Sequence, residues 1–173
     1  MKQILLFTAL LLVLVGQNNV FAETVYQTPD DFLQEVFGGD PPEPQVLSIF
    51  GERKKTVATI LTHPPAKLRT RYWKDGDKTV WILDEIGKTK PITAGLVVEA
   101  GALKDLRVLI YRSSRGADVR QPTFTKQFHG AKLNSEKQLN VSVDGVSGAS
   151  FSVRAMKRLV ALALFLDEEL KIQ

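Results

Sequence analysis

The sequence contains no cysteine, and this absence excludes several kinds of chemistry. Disulfides, iron–sulfur clusters, thiolate-bound metals and a cysteine nucleophile all require the missing sulfur atom. Histidine is scarce as well, since the chain has only His63 and His129. A closed metal centre needs several such ligands, so we predict no metal site. His129 is expected to be an ordinary surface or packed residue, with a metal ligand or proton shuttle as the alternative.

A large excess of one charge sign is also missing. The 173 residues carry a formal net charge of +4, and 24% of them are charged, which is ordinary for a globular protein. The densest basic run, residues 53–55, is typical of a solvated face. Because the sequence has no stripe of basic and aromatic residues, we predict no nucleic-acid partner.

The first 22 residues have the features of an export signal. Lys2 gives a positive start, residues 4–16 form an apolar run, and Val20 and Ala22 occupy the two positions that signal peptidase inspects. We therefore predict a signal peptide over residues 1–22 and a periplasmic or other extracytoplasmic location. An uncleaved membrane anchor is the alternative, but the apolar run is short for a helix that crosses a bilayer.

Residues 23–68 are predicted to form a helical N-terminal segment. Thr28 can cap a helix that begins at Pro29, and two acidic residues in the first turn favour the positive end of its dipole. The stretch 45–61 is amphipathic, and its pattern does not decide between helix and strand.

Residues 69–173 are predicted to form the main domain. Alternating hydrophobicity indicates strands, and an Asp-Gly pair between the first two favours a hairpin. The predicted strands cover residues 69–73, 79–83, 92–99, 106–112 and 139–143. Helical periodicity predicts a long C-terminal helix over residues 151–170, with Phe151 and Met156 on its apolar face. The predicted fold class is α+β, with an antiparallel β-sheet packed with helices.

The segment from Asp144 to Ser152 lies between the last predicted strand and the long helix. Such a position suits a phosphate, because the first N–H groups of a helix lack partners within it and its dipole favours negative charge. Gly145 and Gly148 allow the backbone to approach a ligand closely. These residues alone, however, are more typical of a plain turn followed by a helix cap.

The same segment resembles the flavinylation motif of FMN-binding domains. These domains occur in subunits of the sodium-pumping quinone reductase and the Rnf complex, and as small periplasmic proteins. The motif is an Asp, two or three variable residues, Ser or Thr, Gly, Ala and Thr, often with Ser or Thr two residues later. The matching residues here are Asp144, Ser147, Gly148, Ala149, Ser150 and Ser152. The segments 92–98, 108–116 and 124–130 are similar to further elements of the family, in the same order.

The resemblance implies that a flavin transferase uses FAD and magnesium to attach FMN to the Ser150 hydroxyl through a phosphoester. It also implies that Asp144 helps the transferase to hold its metal or the acceptor, and that Gly148 and Ala149 are small so that the loop can enter the transferase. The expected function is electron transfer with redox partners at or near the membrane, as a carrier rather than an independent enzyme.

Other residues are carried by the same resemblance. Phe128 is the candidate for packing on the isoalloxazine ring, with Phe124 and Tyr111 as alternatives, although aromatic residues in such positions are more typical of a core. Arg112 or Arg115 is expected to neutralise phosphate or to lie on the surface.

The chain departs from the family pattern at two positions, and two other functions compete. Ser150 stands where the family usually has Thr, and Ser113 stands where Glu is common. A flavin-free or non-covalently binding interaction module of the same fold is therefore the alternative. Residues 145–149 also nearly match the G-x-S-x-G elbow of serine hydrolases, but a triad would have to use one of the two histidines and such enzymes normally need a longer chain.

Overall fold

A six-stranded antiparallel sheet is the centre of the computed structural model, which describes residues 23–172. The predicted signal peptide lies outside the described residues. The strands are β1 Thr24–Val25, β2 Gln45–Ser48, β3 Arg69–Asp75, β4 Lys78–Ile86, β5 Pro91–Glu99 and β6 Ala102–Tyr111, and their order in the sheet is β1-β6-β5-β4-β3-β2. The helices are α1 Pro29–Val36, α2 Gly51–Leu61, α3 Pro122–Thr125 and α4 Ser150–Leu170, with 3-10 turns at Ala117–Arg120 and Lys126–Phe128. The predicted α+β class is confirmed.

The four central strands follow each other as hairpins, and the pairing of β3 with β4 around the Asp-Gly turn is as predicted. Tight turns join β3 to β4, where Asp75 pairs with Lys78, and β5 to β6, where Glu99 pairs with Ala102. Two-residue turns of this kind match the twist of the flanking strands. The sheet therefore forms largely from contacts that are local in the sequence.

The segment before the main hairpins supplies both edge strands of the sheet. β1 pairs with β6, and β2 pairs with β3. The ambiguous stretch 45–61 is in fact a strand followed by a helix, which explains why neither period fitted all of it. Helix α1 begins as predicted, since the Thr28 hydroxyl accepts a hydrogen bond from the backbone N–H of Asp31 at 3.1 Å.

Each face of the sheet carries a helix. Phe32 and Leu33 of α1 are buried against one face, beside Val80, Val97 and Leu109. The long helix α4 packs against β4, β5 and β6 on the other face, and α2 packs against α4. Among the described residues, no helix has the length and hydrophobicity that a membrane span needs.

Two predictions within the main domain are wrong. Residues 139–143 do not form a strand, and only Leu139 makes an isolated bridge, to Leu133. Their alternation arises because Leu139, Val141 and Val143 face the core below α4, while the edges of the sheet are already taken by β1 and β2. Phe151 does not belong to the buried face of α4, for its side chain is 47% exposed.

Candidate functional site

The segment before α4 forms a turn that leaves the start of the helix open. The N–H of Ala149 donates to the carbonyl oxygen of Val146 at 3.0 Å, and Gly148 has a left-handed backbone with φ of 73°. Ala149 occupies the N-cap position, and no side chain in the described part of the chain caps the helix there. Ser150 is the first helical residue and is exposed. The first N–H groups of α4 therefore have no capping side chain and can receive an anion.

A hydrogen-bonded clamp holds the turn against the end of β6. The Tyr111 hydroxyl donates to the carbonyl oxygen of Arg115 at 2.6 Å and accepts from the buried Ser152 hydroxyl at 2.8 Å. Burial is the main cause that raises the pKa of Tyr111, so this phenol stays protonated. Gly116 has φ of 86°, and a Cβ atom there would lie 2.8 Å from the Ser152 oxygen and 2.9 Å from the Tyr111 oxygen.

A small basic cavity lies beside Ser150. Its volume is about 230 Å³, and Lys88, Ser113 and Arg115 line it together with residues 148–152. Neither Lys88 nor Arg115 forms an ion pair with a carboxylate among residues 23–172. Two unpaired cations and a free helix N-terminus make this cavity suited to a phosphate.

A second cavity of about 320 Å³ adjoins the first, and Lys88 and Phe151 line both. Two large apolar side chains are exposed on its wall, Phe151 at 47% and Ile86 at 53%. The Arg154 guanidinium lies over the Phe151 ring, 4.6 Å from its centroid. The cavity therefore combines apolar surface with positive charge, which suits a flat, electron-accepting ligand.

A buried carboxylate supports the far wall of this second cavity. The Glu85 side chain is 2% exposed and accepts hydrogen bonds from His63 Nε2 at 3.0 Å and from Arg158 Nη1 at 3.1 Å. The other ring nitrogen of His63 lies 2.9 Å from the Pro64 carbonyl oxygen. The hydrogen bond to the Pro64 carbonyl is the largest cause that raises the pKa of His63 above its ordinary value, and the bond to Glu85 is the next largest.

The motif residues have different roles in the structure. Ser147, Gly148, Ala149 and Ser150 form the turn itself, and Asp144 is exposed upstream, where its backbone N–H donates to Gln127 Oε1 at 2.7 Å. Ser152 is buried, and its hydroxyl donates the hydrogen bond to Tyr111 that completes the clamp.

The predicted contact of Phe128 with the flavin ring is wrong. Its side chain is fully buried and packs edge-to-face on Phe124, with 5.4 Å between ring centroids. No surface of this ring is available to a cofactor, so Phe128 is a core residue. Arg112 is bound elsewhere, to Glu23 and to the Thr93 hydroxyl.

Sequence reasoning missed Lys88, Phe151 and His63. Lys88 lies in the turn after β4 and His63 in the loop after α2, far from the motif in sequence, so only the sheet and α4 bring them to it. Phe151 follows the acceptor position directly, and an aromatic residue at an exposed helix start could have been noticed.

The structure gives no support to a hydrolase or a metal site. Within the described part of the chain, neither histidine hydrogen-bonds to Ser147. Residues 23–172 also contain no group of three or more histidine or acidic side chains placed to hold a metal.

Known proteins resemble this chain in sequence and in structure. Residues 87–164 match the sequence model of the FMN-binding domain. The crystal structure of Shewanella oneidensis NqrC superposes on the chain with a TM-score of 0.53 and 16% identity, covering 84% of this chain and 90% of that one, which shows a shared fold. No curated protein sequence matches the chain significantly. The segment 87–164, which contains the turn, the clamp and the start of α4, belongs to the FMN-binding domain family.

Proposed function

We propose that this protein carries FMN on Ser150 through a phosphoester and transfers electrons outside the cytoplasm. The observation that carries this proposal is the exposed, uncapped Ser150 at the start of α4, beside a basic cavity of about 230 Å³. A phosphoester on the Ser150 oxygen would lie next to the free N–H groups of the helix and within the cavity that Lys88 and Arg115 line.

Attachment is a phosphoryl-group transfer from FAD, catalysed by a magnesium-dependent flavin transferase. The Ser150 oxygen attacks the phosphorus on the FMN side of FAD, and a new P–O bond forms. The P–O bond to the AMP phosphate breaks, AMP leaves, and the hydroxyl proton passes to a base of the transferase. Ser150 is accessible for this reaction because it is exposed, and its neighbours Gly148 and Ala149 add little bulk.

We assign the ring system of the same cofactor to the adjoining cavity of about 320 Å³. Phe151 and Ile86 offer apolar contact, and the surrounding cations favour the added charge of the reduced state. FMN supplies the chemistry when bound, since it accepts and releases one or two electrons. The protein sets how exposed and how positively surrounded the ring is, as expected of a carrier that meets redox partner proteins at the membrane.

Fluorescence in a denaturing gel tests the attachment. The protein is co-expressed with a flavin transferase in an exporting host, as wild type, Ser150→Ala, Ser150→Thr and Ser142→Ala. We expect a fluorescent band from the wild type, from Ser150→Thr and from Ser142→Ala, which changes an exposed serine just outside the motif. We expect none from Ser150→Ala.

Two outcomes would contradict the proposal. A dark wild-type band beside a fluorescent control substrate would favour a flavin-free or loosely binding module. A fluorescent Ser150→Ala band would move the attachment to another residue. Export is tested in the same cells, because a periplasmic fraction whose protein begins at Glu23 supports cleavage after Ala22.

A further inference from the structure

His63 is fixed between two hydrogen-bond acceptors on the wall of the second cavity. Its Nδ1 atom lies 2.9 Å from the Pro64 carbonyl oxygen, and its Nε2 atom lies 3.0 Å from a Glu85 carboxylate oxygen. A carbonyl and a carboxylate only accept, so both bonds exist together only when both ring nitrogens carry protons. The geometry therefore selects the positively charged imidazolium.

The imidazolium is held in place but not enclosed. Its side chain is 38% exposed and lines the same cavity as Phe151 and Lys88. The Glu85 carboxylate behind it is shared with Arg158, so this one buried negative charge faces two cations. The cavity wall consequently has a surplus of positive charge.

We propose that the positive charge of His63 raises the reduction potential of FMN attached to Ser150. Uptake of two electrons and one proton by the flavin adds one negative charge to the ring system, and a nearby fixed cation favours that state. The inference rests on the proposed function, and the electrons come from the chemical reductant used in the test.

Four other charged side chains face His63 or line the same cavity. Glu85 faces it from β4, Arg158 and Arg154 from α4, and Lys88 from the turn between β4 and β5. Histidine is the residue type whose ordinary pKa lies nearest to neutral pH, so we expect loss of the His63 proton to change the cavity charge between pH 6 and 9.

The experiment compares midpoint potentials of the flavin-loaded proteins by spectroelectrochemical titration with dithionite at several pH values. His63→Gln removes the charge but keeps a hydrogen-bonding side chain, and His63→Lys keeps a charge at all these pH values. His129→Gln is the matched control, because His129 is exposed and lines neither cavity. Gel fluorescence first establishes that all four proteins carry equal flavin, and thermal unfolding establishes that all four are folded.

At pH 6 we expect a more negative potential in His63→Gln than in the wild type, with His63→Lys and His129→Gln close to the wild type. The difference between His63→Gln and the wild type should shrink as the pH rises through the pKa of His63. Equal potentials of wild type and His63→Gln at pH 6, with equal flavin, would overturn the inference.

A readout without flavin separates this inference from the proposed function. NMR titration of His63 in flavin-free Ser150→Ala protein should give a pKa above the ordinary value of 6.5, and a value at or below 6.5 would overturn the imidazolium assignment. If the wild type carries no covalent flavin, the Ser150 assignment alone fails. Free FMN then replaces the attached cofactor, and equal binding by the wild type and His63→Gln at pH 6 would overturn the role of His63.

Discussion

Replacement of Gly116 by alanine tests whether the clamp beneath the turn before α4 stabilises the fold. The new Cβ atom would lie 2.8 Å from the Ser152 hydroxyl and 2.9 Å from the Tyr111 hydroxyl, both of which are buried. These two oxygens are already within 2.8 Å of each other, so they must separate to admit a methyl group. The turn and the start of α4 then lose their connection to β6.

The magnitude has two parts. A residue with a Cβ atom at the left-handed φ of 86° costs about 1–2 kcal/mol relative to glycine. Buried hydroxyls left without good partners cost about 1–3 kcal/mol more. Together these give a loss of about 2–5 kcal/mol, and with a urea dependence of about 2 kcal/mol/M the unfolding midpoint should fall by about 1–2.5 M.

Gly130→Ala is the matched control for this variant. Gly130 also has a left-handed φ, of 77°, but no atom lies within 4 Å of its added Cβ, so only the backbone cost of about 1–2 kcal/mol applies. We also expect slower flavin attachment in Gly116→Ala but not in Gly130→Ala, measured by gel fluorescence over time. Equal unfolding midpoints of the two variants would refute the reasoning from the clamp.

Three further changes test the packing and the charges. Thr79→Val removes a hydroxyl that donates to the buried Asp167 at 2.7 Å, and we expect thermal unfolding to show a loss of about 1–3 kcal/mol. Gly95→Ala places a Cβ atom 2.5 Å from the Phe32 ring, and we expect overpacking of about 1–3 kcal/mol in urea unfolding. The pKa of His63 is raised, so its contribution to stability should be complete below pH 6.5 and should be lost as the pH rises through that pKa. The measurement is the difference in unfolding free energy between the wild type and His63→Gln at each pH.

Each of these changes has a control in the same chain. Thr79→Ser keeps the hydroxyl and should stay within a few tenths of the wild-type free energy. Gly145→Ala adds a methyl group in open space, and a cost equal to that of Gly95→Ala would exclude overpacking as the cause. His129→Gln removes an exposed imidazole and is the control for the substitution itself, and a difference for His63→Gln that stays constant with pH would contradict the linkage.

Short-range features of the fold could be predicted from the sequence because their causes are local. The capping threonine, proline and acidic residues of α1 act within one helical turn, and the hairpins depend on alternation and two-residue turns. The turn before α4 was predictable as well, since its motif residues lie within residues 144–152. The strand predicted for residues 139–143 was wrong because alternating hydrophobicity indicates contact with a core but does not require a neighbouring strand.

The surroundings of Ser150 were decided by the tertiary structure. Tyr111 and Ser152 are 41 residues apart, and His63 and Glu85 are 22 apart, so no local pattern connects either pair. Pairing of β4 with β5 brings the turn that carries Lys88 to the start of α4, and packing of α4 on the sheet leaves Phe151 outside the core. The sequence by itself determined which hydroxyl is a candidate acceptor, since that motif is contiguous. Which cations and apolar side chains surround it was decided by the folding of distant segments onto one sheet, because burial and charge pairing depend on contacts that exist only in the folded chain.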